Sequence, residues 1–408
     1  MALVLATLAA SRLMEQCAGW LVISGRWYQV VAACKIEHVF ALAAATLVAV
    51  SAFPSASLGQ SAANAQRKPV VVPAPKRTDQ PAMPARPLQA TPADMLDAAR
   101  RGQTSAVRRL IAAGVSVEAR DDDGNSALSL AALAGKSETV RALLSAQAAP
   151  NVSNRLGESP LMLAARGGHT DVINELIARS ADIAAKNKRG DAALGLAVRR
   201  CHEQAVRLLL DHGADARISG GAGNTVLMIA APTCASGVLD SLLSKGASVD
   251  ARNDLGETAL WIAADNGNAG SVLTLLKHNA DRRIADNDGR TPLLIALENG
   301  HRDAALLLLG DATDIDMATK AGNTALILAA KSGLTDIVRA LLKKGARPDL
   351  RNKFGYTALM IGCQEGHGDV VATLLKAGAD RNLRNKKRET AMEIATASGH
   401  EELEKLLK

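Results

Sequence analysis

Hydrophobic and polar positions along most of this chain follow one pattern that repeats every 33 residues. In each copy a Thr-Ala or Thr-Pro pair opens a short apolar run, a glycine-centred break follows, and a second apolar run contains a Leu-Leu pair. The copy ends in a polar segment that closes on a glycine, found at Gly124, Gly157, Gly190, Gly223, Gly256, Gly289, Gly322 and Gly355. A fixed period of this length indicates a supersecondary unit copied in tandem, which predicts a solenoid.

The clearest copy, residues 323–355, predicts two short helices and a finger. Leu326, Ala329 and Ala330 share one face of the first helix, because residues three and four apart are neighbours on a helix surface. A second helix from about residue 335 to 343 would bury another apolar face. Threonine before the first helix can cap free backbone N–H groups. An Asx residue three positions before the closing glycine favours a tight, hairpin-like turn.

This pattern closely resembles the ankyrin repeat, whose Thr-Pro-Leu, Gly-His, Leu-Leu and Gly-Ala-Asp elements are visible in nearly every copy. The resemblance implies an all-α fold, an ankyrin-repeat solenoid of about ten stacked helix-turn-helix units with β-hairpin-like fingers, over residues 92–408. The expected units are 92–124, 125–157, 158–190, 191–223, 224–256, 257–289, 290–322, 323–355 and 356–388, with a C-terminal cap at 389–408.

One family feature is missing from every copy. The histidine that follows Thr-Pro-Leu in the family is replaced by Ser129, Met162, Gly195, Met228, Trp261, Leu294, Ile327, Met360 and Glu393. The hydrogen-bond network of that histidine is therefore absent, and we expect apolar packing between repeats to substitute for much of it. Trp261 is expected in the core for the same reason.

The first 65 residues are interpreted as a leader. Residues 39–53 are nearly all apolar, Lys35 precedes them, and Ala63-Asn64-Ala65 fits the small-x-small rule for cleavage after Ala65. Three alternatives stay open. An uncleaved anchor would have an apolar core shorter than the span of about 20 residues. Residues 31–34, which end in Cys34, are similar to a lipoprotein box. The length of the leader also leaves open a translation start downstream of Met1.

Residues 66–91 are rich in proline and basic residues, so we expect an extended linker that tethers or spaces the array. The chain carries a net charge of +7, but residues 92–408 hold 40 Lys and Arg against 38 Asp and Glu. After residue 65 the aromatic residues are Trp261, Phe354 and Tyr356. A nucleic-acid binder needs a basic surface or stacking platforms, so no nucleic-acid partner is expected.

Candidate chemistry is weak throughout the sequence. Most histidines recur at one repeat position, twelve residues after the closing glycine, which indicates a structural role: His169, His202, His301, His367 and His400. The metalloprotease, phosphate-loop and nucleophile-elbow motifs are absent from the sequence. We therefore predict no enzyme, no catalytic or metal-binding residue, no cofactor and no small-molecule substrate.

Cys201 and Cys234 occupy the same position in adjacent repeats, and an oxidising compartment would favour a disulfide between them. Stacked helices lie about 10 Å apart, whereas a disulfide needs Cα atoms within about 7 Å. The bond therefore requires a local distortion, which Pro232 and the glycine-rich finger at 219–223 could provide. Two free thiols are the alternative. Cys363 replaces a small core residue and is expected to be buried and inert.

The resemblance also implies that a partner protein binds to the finger tips and to the exposed face of the first helices. The matching positions pass from basic to acidic along the array, with two aromatic residues flanking a later finger. The candidate partner-binding residues are Arg155, Leu156, Arg166, Lys188, Arg189, Asp191, Arg199, Arg200, Asp254, Leu255, Asp265, Asn266, Phe354 and Tyr356.

The sequence favours a non-enzymatic protein-protein interaction module, exported to a bacterial periplasm or secreted. A narrower hypothesis is an immunity or inhibitor protein that sequesters a toxin or enzyme. A membrane-tethered envelope scaffold is a further alternative, and it requires that the leader be retained. A cytosolic or translocated effector would instead keep Cys201 and Cys234 reduced.

Overall fold

The computed structural model describes residues 18–23, 26–31, 90–218, 220–310 and 315–408. The chain divides into two compact units, residues 1–82 and 83–408. In the first unit, strand β1 (Ala18–Ile23) pairs antiparallel with strand β2 (Arg26–Val31), with Ala18 opposite Val31. The sequence pattern did not indicate this hairpin. The apolar run at 39–53, the cleavage site after Ala65 and nearly all of the linker lie outside the described residues.

The second unit is a row of helix pairs. The first helices of the pairs are α1 (Pro92–Arg101), α3 (Ala127–Leu133), α5 (Pro160–Gly167), α7 (Ala193–Arg199), α9 (Val226–Ala230), α11 (Ala259–Asp265), α13 (Pro292–Glu298), α15 (Ala325–Lys331), α17 (Ala358–Gln364) and α19 (Ala391–Ala397). The second helices are α2 (Thr104–Ala112), α4 (Ser137–Ser145), α6 (Thr170–Ile177), α8 (Glu203–Asp211), α10 (Ser236–Ser244), α12 (Ala269–Lys277), α14 (Arg302–Leu308), α16 (Thr335–Lys343), α18 (Gly368–Lys376) and α20 (Glu404–Leu407). Among the described helices, none combines the length and apolar character of a membrane span.

The predicted caps begin most of the first helices. In nine of the ten pairs a serine or threonine side-chain oxygen accepts a hydrogen bond from the N–H three residues on, at 3.1 to 3.3 Å: Thr91, Ser126, Ser159, Thr225, Thr258, Thr291, Thr324, Thr357 and Thr390. Pro160 and Pro292 stand directly after the cap, where a missing N–H costs nothing. Nine of the ten first helices therefore start at a capping residue that the repeat pattern specifies, and α7, which follows Ala192, starts without a side-chain cap.

The core runs continuously through the array, because each first helix between α1 and α19 packs against the first helices of both neighbouring repeats. Except for exposed Glu393 in the C-terminal cap, the residues at the position of the missing family histidine are buried there, and Met228, Trp261 and Leu294 are each at most 2% exposed. Trp261 also donates its indole Nε1–H to the carbonyl oxygen of Arg290 in the next repeat, at 2.9 Å. The expected apolar substitution is thus confirmed at these positions, and Trp261 adds one polar link.

A second substitute for the histidine network lies in the fingers, where the sequence had suggested only a turn. Oδ1 of Asn253 accepts hydrogen bonds from the N–H groups of Leu255 and Glu257 at 3.0 and 2.9 Å. Its Nδ2 group donates to Glu257 at 2.9 Å and to Asn224 of the preceding finger at 3.0 Å. Asn154 makes the same four kinds of contact. Buried asparagines thus join finger to finger.

The histidines at the repeated turn position are structural, as predicted. In four repeats the Nε2 atom lies 3.0 to 3.1 Å from a carbonyl oxygen 36 residues earlier, near the C-terminal end of the previous first helix: His169, His202, His301 and His367. His400, in the cap, instead has Nδ1 3.5 Å from a carboxylate oxygen of Glu402. The turn histidines therefore connect neighbouring repeats.

Candidate partner-binding surface

Fingers and first helices from three successive repeats surround a concavity of about 620 Å³. We call it the basic pocket. Its charged lining residues are Glu158, Arg166, Lys188, Arg189, Asp191, Arg199 and Arg200, and its apolar ones are Leu156, Leu196 and Ile229. Seven of the candidate partner-binding residues thus line one site: Leu156, Arg166, Lys188, Arg189, Asp191, Arg199 and Arg200.

Two ion pairs hold the base of the basic pocket. Nη1 of Arg166 lies 2.7 Å from Oε1 of Glu158, and Nη2 of Arg199 lies 2.7 Å from Oδ1 of Asp191. Both carboxylates are buried, with Glu158 6% and Asp191 9% exposed. Asp191 is therefore not a freely exposed contact residue, and its carboxylate instead fixes the orientation of Arg199.

The remaining three cations of the basic pocket are exposed. Lys188 and Arg189 lie in the finger before α7, and Arg200 follows the last residue of α7. In the part of the chain that the structure describes, none of the three forms an ion pair with an acidic side chain. Since the other two arginines are neutralised by carboxylates, Lys188, Arg189 and Arg200 give the basic pocket its excess positive charge.

The basic pocket is open on one side, where the next finger carries glycine at Gly220, Gly221 and Gly223. Gly220 stands where the neighbouring fingers carry Asn187 and Asn253, and a 3-10 turn over Gly221–Gly223 forms the tip. No heavy atom lies within 4 Å of the place where a Cβ atom of Gly221 would stand. The glycine run, which the sequence marked as a loose finger, therefore leaves free space beside the three cations.

A disulfide joins two of the repeats that line the basic pocket. Cys201 and Cys234 have an S–S distance of 2.09 Å and a Cα–Cα distance of 5.2 Å. Cys201 directly follows Arg200 and has a φ of +53°, at a position where neighbouring repeats carry glycine. Cys234 lies in the turn after α9, which has only five residues and ends two residues before Pro232. The local distortion that such a bond requires is present at this joint.

The other candidate residues do not line the basic pocket. Arg155 is exposed beside it, whereas Asp254, Leu255, Asp265 and Asn266 lie in later repeats. Oδ1 of Asp265 accepts a hydrogen bond from Nδ2 of Asn299 at 3.0 Å, and Nδ2 of Asn266 donates to a helix carbonyl at 2.9 Å. The side chains of Asp265 and Asn266 are thus already engaged within the array.

Further along the array, Phe354 is 64% exposed, while Tyr356 is half-buried. The N–H groups of Phe354 and Tyr356 both donate to Oδ1 of Asn352, at 3.0 Å each. The finger of these two residues therefore presents mainly the phenyl ring of Phe354 to solvent.

A longer period appears at the finger tips. Leu156, Leu255 and Phe354 each precede a closing glycine, are 56%, 46% and 64% exposed, and stand three repeats, or 99 residues, apart. The same spacing separates the asparagine pairs that join the fingers, such as Asn154 with Asn125. Comparing the sequence with itself at this longer shift would have revealed the period. It places an exposed apolar side chain at every third finger.

No group of His, Cys, Asp or Glu side chains among the described residues has the arrangement of a metal site. The thiol of Cys363 is buried, and burial raises its pKa to about 12, so it stays protonated and unreactive at neutral pH.

The family model described as ankyrin repeats (3 copies) matches residues 95–187, 161–253, 227–320 and 326–408. The chain belongs to the ankyrin repeat family. The solved structure of the human ASB11 ankyrin repeat domain is similar, with a TM-score of 0.50 and 26% identity over 54% of this chain and 99% of that domain. No curated protein is significantly similar to the chain.

Family and structural similarity together confirm the predicted solenoid. Ankyrin repeats are scaffolds for protein-protein interaction and not for catalysis. The array is accordingly a protein-interaction module, and a surface such as the basic pocket is the kind of site it offers to a partner.

Proposed function

We propose that this protein is exported from the cytoplasm and binds a partner protein through the basic pocket and the finger tips beside it. One observation carries the proposal: Lys188, Arg189 and Arg200 converge, without acidic partners among the described residues, on a concavity whose edge holds the exposed side chain of Leu156. Charged and apolar groups brought together in a concave surface are typical of specific contact sites.

The disulfide and the leader support export. Disulfides form and persist in oxidising compartments and are rare in the cytosol, and Cys201 and Cys234 lie at bonding distance. The sequence interpretation adds a leader with cleavage after Ala65 and a linker at 66–91. We therefore propose a periplasmic or secreted array, held at a distance from residue 65 by the linker.

Binding is tested with protein that is expressed from the full chain and purified after any processing in the cell. This protein is used to capture partner proteins from cell-envelope extract. The Arg189→Glu/Arg200→Glu variant reverses two exposed charges of the basic pocket. Arg199 is left intact, because reversing it would place a second negative charge against buried Asp191. The matched control, Lys277→Glu/Lys376→Glu, makes the same charge change on α12 and α18. We expect a protein that the wild type and the control retain and the pocket variant loses.

Equal retention by the pocket variant and the control would contradict the proposed site. Export is tested separately, by mass spectrometry of the mature N-terminus and by alkylation of thiols during lysis. We expect a new N-terminus at Gln66 and protection of Cys201 and Cys234 from alkylation. An intact Met1 together with alkylated Cys201 and Cys234 would contradict export and favour the cytosolic alternative.

An inhibitor or immunity protein is a second candidate, favoured by the rigidity of the site. The disulfide and two ion pairs with buried carboxylates hold the base of the basic pocket in one shape before a partner arrives, and a preorganised site loses less conformational entropy on binding. This candidate predicts that the captured partner is an enzyme or toxin and that the array inhibits it stoichiometrically. A partner that keeps full activity in the complex would argue against it.

A further inference from the structure

We infer that the basic pocket recognises an acidic segment of the partner protein, in which carboxylate side chains flank an apolar one. The inference rests on the proposed function, since it names the chemistry of the partner at the same site. Its evidence is the charge, the shape and the apolar lining of the basic pocket.

The positive charge of the basic pocket favours the binding of carboxylates. Five cationic side chains line it against two carboxylates, and each of those carboxylates is already paired with an arginine inside the pocket. Three cations remain without an acidic partner among the described residues: Lys188, Arg189 and Arg200. An incoming Asp or Glu would complete the same kind of pair that Glu158 and Asp191 already make, with short charge-assisted hydrogen bonds.

The apolar residues of the lining favour contact with a hydrophobic side chain between those carboxylates. Leu156 is 56% exposed on the tip of one finger, and Ile229 of α9 is half-buried in the lining. Burying such side chains against a leucine-like residue removes apolar surface from water, which favours binding. Along the stack of repeats, the three cations follow the finger of Leu156 and precede α9, and all of them line the same concavity, so an extended segment that runs along the repeats can make both kinds of contact.

Two other occupants fit less well. The protein's own linker, residues 66–91, has five Lys or Arg against the single acidic residue Asp79, so it carries the same sign of charge as the basic pocket. Nucleic acid brings the right charge, but no lining residue is aromatic, and single strands bind largely by stacking bases on aromatic side chains. An acidic segment of a partner protein has the opposite charge to the basic pocket, and its binding does not depend on stacking against aromatic side chains.

The basic pocket is also preformed. Asp191 and Glu158 orient two of its arginines, and the disulfide ties the end of α7 to the turn after α9. An acidic segment therefore meets a concavity whose base is already ordered and whose Arg200 directly precedes the disulfide-bonded Cys201, so that less entropy is lost when it binds.

The test is a fluorescence-anisotropy titration of the full chain, purified as the cell processes it. The probe is a short synthetic peptide of alternating glutamate and leucine, and the same peptide with glutamine in place of glutamate is its uncharged match. We expect saturable binding of the glutamate peptide that weakens with added salt. We expect the glutamine peptide to bind about tenfold more weakly than the glutamate peptide.

Variants locate the binding. Arg200→Gln and Lys188→Gln should each weaken binding of the glutamate peptide about tenfold, while Lys277→Gln and Lys376→Gln on the second helices should leave it unchanged. Leu156→Ser should weaken binding of the same peptide without altering its salt dependence, because it removes only the apolar contact. Circular dichroism of each variant checks that the array is folded.

Three results would overturn the inference: no saturable binding at peptide concentrations on the order of 1 mM, equal loss in the pocket and second-helix variants, or tighter binding of a single-stranded oligonucleotide than of the peptide. Capture from envelope extract makes no assumption about acidic chemistry. Capture lost in Arg189→Glu/Arg200→Glu, with no peptide binding, would therefore overturn this inference and leave the proposed function standing. If the glutamate peptide binds but Arg189→Glu/Arg200→Glu has no effect on capture, the proposed function is overturned and this inference stands.

Discussion

Removing the disulfide between Cys201 and Cys234 should divide the array at one joint. The best variant is Cys201→Gly/Cys234→Ala. Cys201 has a φ of +53°, and the equivalent positions in neighbouring repeats are Gly168 and Gly267, which have φ values of +72° and +68°. Glycine adopts this backbone conformation without strain. The substitution therefore removes the cross-link while it relaxes the backbone, which isolates the contribution of the bond.

The magnitude follows from the 33 residues that separate the two cysteines. Closing a loop of this length removes conformational entropy from the unfolded chain worth about 4 kcal/mol at 25 °C. In a repeat array this stability acts on one interface, since each repeat contacts only its neighbours. The interface concerned already has a first helix of only five residues, α9, and a glycine-rich finger. Loss of the bond should therefore uncouple the repeats before residue 223 from those after it.

The assay is urea unfolding followed by far-ultraviolet circular dichroism, with and without reductant. Oxidised wild type should unfold at the highest urea concentration, while reduced wild type and Cys201→Gly/Cys234→Ala should unfold earlier, in two resolved steps. Agreement between reduced wild type and the variant within about 1 kcal/mol would show that the loss belongs to the bond and not to the side chains. If oxidised wild type and the variant unfold together in a single transition, the disulfide does not hold this joint and the reasoning is wrong.

Three further predictions concern stability and reactivity. Asn253→Ala removes four hydrogen bonds of a buried finger side chain and should lower the free energy of unfolding by about 2–3 kcal/mol in urea titrations. The control Asn266→Ala, at an exposed position, should change the free energy of unfolding by no more than about 0.5 kcal/mol. Equal effects of the two substitutions would refute the structural role of the finger asparagine. The N–H group of Thr390 donates to the Glu393 carboxylate and lowers its pKa below the ordinary value of 4.5. The stability that the ionised Glu393 carboxylate contributes is present above pH 4.5 and is lost as the pH falls through the lowered pKa. Hydrogen exchange in α19 should therefore accelerate on acidification, and Glu393→Gln should remove that pH dependence. Cys363 should be alkylated only as the array unfolds, because its pKa is raised to about 12 by burial; rapid labelling of its peptide in native protein, read by mass spectrometry, would contradict this.

Most of the array could be predicted from the sequence, because its constraints act within one repeat or between neighbours. The closing glycines, the serine and threonine caps and the turn histidines all recur at fixed positions, and each does locally what its chemistry suggests. Trp261 shows the same logic, since an apolar residue at a repeated core position has nowhere else to pack. These features need only the period and the properties of the side chains.

Contacts between particular side chains could not be derived in the same way. The pattern marked Asp191 as a contact residue, yet its carboxylate is buried against Arg199. It also gave the finger asparagines a turn role without their links to the preceding finger, as from Asn253 to Asn224. A period states which positions are equivalent, but not which side chains of successive repeats come within hydrogen-bonding distance.

The repeat fold and its register therefore follow from the 33-residue period alone, since every copy buries the same face against the next. The basic pocket exists because one irregular joint departs from that period. Gly220 replaces an asparagine, α9 is shortened, and Cys201 and Cys234 stand 5.2 Å apart between their Cα atoms. These deviations act together through space, and their combined effect on the shape and charge of the surface appears only when the repeats are stacked.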